Sequence, residues 1–396
     1  MAIPAVHASG SDAIRIGIIG CGSRGRGAAA QAVESAPGVQ VTALADLFPD
    51  AIDRTLQRWA DRPKENYKLS RDRCFVGWNA YQQLLQTDAN YIILATPPAF
   101  RPEHLMAAIT AGRHVYAEKA LAVDPAGVRK VMAAGELATQ QNLGIITGLW
   151  RRHDRAYIDT VNRVRDGAIG RILTGQAYCL QGGWNVTPRQ EGWTDMEWQV
   201  RNFFYFTWLS GDVIVDQGTH GHDILNWAIG AVPTHCHGMG GRQARTHPAF
   251  GHIYDHFAVE YEYPGGIHVI SLCRQTENAF GRIQERVCGE RGWADLSGRI
   301  SATGQPVHRF AGQRGSPYVL MHTDMIQSIR AGQPLNYAKQ AAESHLMSIM
   351  GRMAAYTGNL IRWKDALNDP MDLMPKALQF GPHPMPAVAI PGRPPA

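Results

Sequence analysis

Residues 13–25 read Ala13-Ile14-Arg15-Ile16-Gly17-Ile18-Ile19-Gly20-Cys21-Gly22-Ser23-Arg24-Gly25, and an alanine-rich segment, Gly27 to Ala36, follows directly. An apolar run ended by glycines and followed by helix formers reads as a buried parallel strand, a tight turn and a helix N-terminus. Such a turn binds anions. Gly20 permits the turn, Gly22 lets the backbone approach a pyrophosphate, and Gly25 lets the helix pack close to the strand. The N–H groups of Ser23 and Arg24 open the helix, where its dipole favours phosphate.

A second apolar strand, Val39 to Ala45, ends at Asp46, about 20 residues past the last glycine, where a carboxylate accepts from ribose hydroxyls. The expected cofactor is NAD. A carboxylate there repels a 2′-phosphate, although Arg54 and Arg58 nearby leave NADP open. The plainer reading of Asp46 is a helix cap.

With 396 residues the chain has room for two domains. A net charge of +5 is small for this length, and no basic block alternates with aromatics, which argues against nucleic acid as a partner. No run of 18 or more apolar residues is present, so no spanning helix is expected. Six cysteines show no C-x-x-C pairing and read as buried thiols. Residues 1–12 carry Pro4 to Gly10, which looks like the end of an export leader with Val6 and Ala8 at cleavage-site positions. The expectation is a trimmed leader and a periplasmic or exported protein, with a disordered cytoplasmic N-terminus as the alternative.

Strand and helix alternate up to residue 150. Helices are expected at Pro49 to Ala60, Trp78 to Gln86, Pro102 to Ala111 and from the Asp124 cap to about Gln140; strands at Tyr91 to Ala95, His114 to Ala117 and Leu143 to Leu149. This predicts an α/β fold whose N-terminal domain, residues 13–150, is a Rossmann-type doubly wound parallel sheet. From 151 to 380 the pattern changes to strand-like runs, including Ile172 to Gln181, Phe257 to Tyr263, Ile267 to Leu272 and Arg282 to Cys288, with a hairpin turn at Pro264-Gly265-Gly266. Helices at Val213 to Ile229, Met321 to Ala331 and Gln340 to Tyr356 complete an α+β domain with a mostly antiparallel sheet. The tail 381–396 holds six prolines and is expected to lie on a neighbouring surface or subunit.

Lys119 follows Glu118 at the end of a strand of the nucleotide domain, where it is either catalytic or an ordinary rim charge. Asp216 and His220 stand four apart, on one face if helical, and a carboxylate beside an imidazole suits a proton-exchanging histidine. The bland alternative is a surface His-Asp pair. Asp216, His220, His222 and Asp223 are also metal-ligand types, but the spacing matches no standard zinc pattern, so no metal is expected. Trp184, Trp193 and Trp198 stand among polar residues, a mixture suited to gripping a polyol ring.

With these motifs the chain resembles the Gfo/Idh/MocA oxidoreductase family. That family ends the fifth strand of its nucleotide domain with Glu-Lys-Pro; here the stretch reads Glu118-Lys119-Ala120. Its Asp-x-x-x-His-x-x-Asp pattern is matched by Asp216, His220 and Asp223, and Thr96-Pro97 matches its cofactor-contacting turn. The resemblance implies a tightly held NAD bound by Gly20, Gly22, Ser23, Arg24, Gly25, Asp46, Thr96, Pro97, Glu118 and Lys119. It also implies a carbohydrate substrate, catalysis by Lys119, Asp216 and His220, and a homodimer or homotetramer. Some relatives are exported folded by the twin-arginine route. Substrate contacts are expected from Arg151, His153, Trp184, Trp193 and Tyr205 together with Asp216 and His220. Two activities are open: net oxidoreduction of a sugar hydroxyl, and glycoside hydrolysis or isomerisation through transient oxidation with retained NAD, for which His153, Tyr157 and Tyr205 are candidate second bases. A non-catalytic sugar sensor is the third reading.

Overall fold

The computed structural model describes residues 13–393. The reading of residues 1–12 as a leader lies outside them. The chain begins β1 (Ile14–Ile19), α1 (Ser23–Ser35), β2 (Val39–Asp46), α2 (Pro49–Arg58), β3 (Cys74–Val76), α3 (Ala80–Leu85), β4 (Tyr91–Leu94), α4 (Arg101–Thr110), β5 (His114–Ala117), α5 (Pro125–Gln140) and β6 (Ile145–Thr147). The six strands form one parallel sheet in the order β3-β2-β1-β4-β5-β6. The order reverses between β1 and β4, and the crevice beyond the carboxyl ends of those two strands is where a doubly wound sheet takes its ligand. Both faces are covered, which is why β1 and β4 read as nearly continuous apolar runs. Asp124 starts α5 by accepting from the Gly127 N–H at 2.7 Å, as the Asp-Pro pair predicts.

The second half contributes α6 (Arg155–Arg165), β7 (Ile172–Gln181), α7 (Asp195–Arg201), α8 (Thr207–Ser210), α9 (Thr219–Ile229), β8 (His235–Gly241), β9 (His256–Tyr263), β10 (Ile267–Gln275), β11 (Arg282–Gly289), β12 (Gly292–Asp295), β13 (Arg299–Ala302), β14 (His308–Arg309), α10 (Pro317–Arg330), α11 (Ala338–Thr357), β15 (Ile361–Arg362) and α12 (Trp363–Asn368). Nine strands form a sheet in the order β14-β13-β12-β11-β7-β10-β9-β8-β15. All neighbours run antiparallel except β7 and β10, which pair in parallel at its centre. The expected hairpin joins β9 to β10 through Pro264-Gly265-Gly266, with φ of 81° and 73° at the two glycines. One face of the sheet packs on α9 and α11 through Leu225, Val259, Leu346 and Met350.

Two features differ from the sequence reading. The run from Val213 is not a regular helix at its start: Ile214–Gly218 is a π-helical turn that leads into α9. Residues 317–337, expected in the second domain, return to the first. Met321, Met325 and Ile326 of α10 share a core with Ile16 and Ile18 of β1, and Ile145 N–H donates to the Leu335 carbonyl at 2.8 Å. Of the two placements expected for the proline-rich tail, the described part takes a neighbouring surface, that of its own chain: Gln199 donates to the His383 carbonyl at 2.6 Å and Tyr254 to that of Ala389 at 2.9 Å. Among the described residues no helix is long and apolar enough to cross a membrane.

Candidate functional site

The glycine turn has the geometry its sequence predicts. Gly20 has a φ of 99°, and a Cβ there would stand 2.6 Å from the backbone of Ala95 and Thr96. Only glycine lets β1 and β4 close at the switch point. A Cβ at Gly25 would overlap the Gly20 carbonyl oxygen, so the third glycine lets α1 sit tight on the turn. Gly22 is different: apart from its chain neighbours, nothing among the described residues lies within 4 Å of the place where its Cβ would be. It stands at the head of α1, whose first turn has no side-chain cap, so the leading N–H groups remain available to an anion.

Next to this turn opens a cleft of about 1100 Å³, lined among others by Gly20, Gly22, Asp46, Thr96 and Pro97. Its volume is at the upper end of small-molecule sites. Asp46 is held there by two backbone donors, the N–H of Cys21 at 2.6 Å and that of Phe48 at 3.0 Å. Burial raises its carboxyl pKa, and the two N–H groups oppose that rise. A carboxylate has about four acceptor sites, so two remain for ribose hydroxyls. An open glycine, an uncapped helix start and a fixed carboxylate at the end of β2 together fit a dinucleotide.

The far wall of the cleft is made by the chain's last segment. Asp372, Met374 and Leu378 line it, and Phe380 packs on Trp78 and Phe48 with ring centroids 5.4 and 6.0 Å away. The segment is pinned on both domains: Leu373 N–H donates to Asp124 and His383 N–H to Asp195.

At the carboxyl end of β5, Lys119 reaches the second domain. Its ammonium lies 3.4 Å from Oδ2 of Asp216 and donates to the carbonyl of the same residue. Both side chains are largely buried. Where the family motif has proline, the carbonyl of Ala120 is gripped by the buried Arg101 guanidinium at 2.6 Å, which fixes the turn by a different means. Asp216 sits on the π-helical turn and also accepts from Gln217.

The expected Asp216–His220 pair is not formed. The wider π turn displaces Asp216 from the face that a regular helix would give it, and its contacts go to Lys119 and Gln217 instead. His220 lies beside Trp150, with ring centroids 6.3 Å apart, and its Nδ1 is buried without a partner among the described residues. Burial, then the charges of Lys119, Arg151 and His345, push its pKa well below the usual histidine value. It is a neutral base at physiological pH. Asp223, the third position of the pattern, binds Arg152 through both oxygens and serves the scaffold.

Other expected contacts divide. Thr96 and Pro97 line the cleft. Glu118 does not face it: its carboxylate is buried and accepts from Arg24 Nε at 2.6 Å and from Tyr116. Arg24 is thereby drawn away from the cleft as well, with its guanidinium over the Tyr318 ring at 5.1 Å. Arg151 is near His220 but buried in an ion pair with Glu285 at 2.7 Å, and Tyr157 donates to the same Glu285. His153 turns to Asp324 at 2.6 Å. Tyr205 is buried, donating to the Trp184 carbonyl and accepting from Arg245 at 2.9 Å.

The expected tryptophan platform is split. Trp184 stacks on Phe204 and is 41% exposed, while Trp193 lies in the cleft with Asp46, under the Arg201 guanidinium at 4.8 Å. Trp150 and Tyr318, whose rings pack 5.7 Å apart between Arg24 and His220, had no sequence signal, because they come from segments 168 residues apart.

Comparison with known proteins agrees with this geometry. Residues 14–144 match the model of an oxidoreductase family with an NAD-binding Rossmann fold, and residues 160–295 match the GFO/IDH/MocA C-terminal domain. A dTDP-3,4-didehydro-2,6-dideoxy-alpha-D-glucose 3-reductase of Actinomadura kijaniata is 27% identical over 52% of this chain and 53% of its own. A glycosyl hydrolase family 109 protein of Shewanella amazonensis is 29% identical over 44% of this chain and 37% of its own. The matched stretches thus span about half of the first relative and little more than a third of the second. In fold, an aldose-aldose oxidoreductase of Caulobacter crescentus superposes with a TM-score of 0.70 at 19% identity, over 88% of this chain and 99% of that one. Glycine turn, switch-point cleft, β5-terminal lysine and matched domains lead to one assignment: the chain belongs to the Gfo/Idh/MocA oxidoreductase family.

Proposed function

We propose that the protein is an NAD-dependent oxidoreductase that interconverts a secondary hydroxyl and a keto group on a sugar or glycoside. The observation that carries this reading is the meeting of Lys119, from the nucleotide domain, with Asp216 of the second domain, near the His220 imidazole, whose Nδ1 is buried without a partner among the described residues. NAD, when bound, supplies the hydride acceptor. The glycine turn and Asp46 hold the dinucleotide. His220, kept neutral by burial and by neighbouring cations, takes the hydroxyl proton on a ring nitrogen. Lys119 stabilises the negative charge that grows on the same oxygen. Asp216 holds the Lys119 ammonium in place. Its part is thus to position the lysine, where the sequence suggested orientation of the histidine.

The test is a panel of pyranoses, glycosides and cyclitols with NAD+, followed by NADH absorbance, after mass spectrometry of the purified protein for a retained nucleotide. NADH formed in proportion to product supports the reading. NAD+ binding with no turnover on any polyol supports a sensor instead.

A second reading is favoured by the likeness to the glycosyl hydrolase family 109 protein: oxidation of a ring hydroxyl, elimination of the glycosidic group, addition of water and re-reduction. It requires a second base, and the hydroxyls of Tyr157 and Tyr205 and the Nδ1 of His153 are engaged with Glu285, Trp184 and Asp324 respectively. An aryl glycoside separates the two readings, since this one releases phenol without net NADH.

A further inference from the structure

The stretch that follows Asp46 carries more positive charge than an NAD site needs. Arg54 of α2 lines the cleft, as does Arg201, which reaches across from α7 of the second domain. Arg26 and Arg58 add to the same region. Arg26 donates to the Cys21 carbonyl at 2.7 Å, and its own pKa is lowered by burial and then by the charges of Arg58 and Arg54. A guanidinium cluster beside the ribose end of β2 is what a 2′-phosphate would seek.

One carboxylate occupies both arginines that line the cleft. Asp50, in the first turn of α2, has Oδ2 2.5 Å from Arg54 Nη1, and its two oxygens lie 3.2 and 3.4 Å from the Arg201 guanidinium nitrogens. Arg201 is further fixed by Glu197 at 3.1 Å and by the Phe48 ring, 3.6 Å from its guanidinium carbon. Burial works against ionisation of Asp50, but the hydrogen bonds and charges of Arg201 and Arg54 prevail and hold its carboxyl below the usual range. It is therefore a standing anion, in the position and with the partners that a phosphate would take.

We propose that Asp50 is a specificity-determining residue that excludes NADP by occupying Arg54 and Arg201. Asp46 repels a 2′-phosphate directly; Asp50 removes the cations that would compensate for that repulsion. The proposal rests on the reading of this cleft as the dinucleotide site. It assigns to Asp50 a role separate from the ribose contact, and it explains how an arginine-rich cleft can still favour the cofactor with the free 2′-hydroxyl.

The test is equilibrium binding of NAD+ and NADP+ to the full chain by tryptophan fluorescence, for wild type, Asp50→Asn, Arg54→Gln and the double variant, each checked for folding by circular dichroism. Asp50→Asn is expected to tighten NADP+ at least tenfold and to lower the ratio of the NADP+ to the NAD+ dissociation constant by a similar factor. Adding Arg54→Gln should reverse most of that gain. Arg54→Gln alone, an exposed change that does not threaten the fold, should alter NADP+ affinity less than twofold, because Arg54 is already engaged. The proposal is overturned if Asp50→Asn binds NAD+ and gains nothing for NADP+, or if Arg54→Gln alone weakens NADP+ tenfold. Failure of the wild type to bind NAD+ overturns the reading of the cleft, and this inference with it.

Discussion

The ammonium of Lys119 is held on Asp216 twice, by the carboxylate at 3.4 Å and by the backbone carbonyl of the same residue. The two residues come from different domains, 97 positions apart, so the contact sets the lysine only when the domains are docked. Lys119→Met should lower kcat by about two orders of magnitude or more, the size of effect found when an oxyanion-stabilising group is removed. Asp216→Asn leaves the carbonyl anchor in place and should cost about tenfold, less than loss of the lysine. Steady-state kinetics on the best sugar from the panel decides between them; an equal loss in both variants would mean that Asp216 does more than position Lys119.

His220 is the base in the proposed reaction, and its environment predicts its pH behaviour. Desolvation, with Lys119 and Arg151 nearby, keeps it deprotonated well below the ordinary histidine range. His220→Ala should lower kcat by roughly 10²–10⁴-fold, the range for removal of a general base. In the wild type the acid limb of kcat/KM should lie below about pH 6.5, the unperturbed histidine value. A limb centred above that value would assign the titrating base to another group.

Beyond His220, several histidines make the fold sensitive to acid, and three of them have no exposed surface. His222, His322 and His345 are fully buried, and burial lowers each pKa from 6.5 to about 3. Their ring nitrogens meet Ser271 and Ser348, Tyr91, and the Ala341 carbonyl respectively. Unfolded, each histidine binds a proton below about pH 6.5; folded, each resists one until about pH 3. The stability they confer is therefore complete above pH 6.5 and is lost as pH falls through that window, by roughly 1.4 kcal/mol per histidine per pH unit. Urea unfolding at several pH values should show a proton uptake on unfolding near pH 5 to which this set contributes about three, His104 and His252 adding to it. His222→Gln should reduce that uptake by about one.

What could be read from the sequence follows from where the information is local. Gly20, Gly22, Gly25 and Asp46 belong to one strand-turn-helix-strand unit, and each stands where the pattern placed it, because backbone conformation and short-range packing determine the turn. The Asp124 cap and the hairpin at Gly265 and Gly266 are legible for the same reason. Asp216 and His220 illustrate the limit. Their spacing of four implies contact on a regular helix, and one π-helical turn removes it. Trp193 looked like a sugar platform by composition, but it lines the cleft beside Asp46, with its ring against the Arg201 guanidinium that pairs with Asp50. The Trp150–Tyr318 pair and the return of α10 to the first domain depend on contacts between distant segments, which periodicity does not encode.

Gly22 and Gly25 allow the cofactor site to be tested separately from the fold. At Gly22 the backbone has a φ of −65°, which any residue adopts, and apart from its chain neighbours no atom of the described residues comes within 4 Å of the Cβ position. Gly22→Ala should therefore fold with a change in stability within about 0.5 kcal/mol, the usual range for a surface substitution. The added methyl stands where the backbone must approach the pyrophosphate, so NAD+ should bind at least about tenfold more weakly. Gly25→Ala meets protein instead of ligand: its Cβ overlaps the Gly20 carbonyl, and relief requires α1 to move off β1. That variant should lose about 1–3 kcal/mol of stability, as overpacking does. Thermal unfolding with and without NAD+ measures both effects. If Gly22→Ala retains the full stabilisation by NAD+, the dinucleotide does not lie on this turn, and the roles given to Asp46 and to the cleft fall with it.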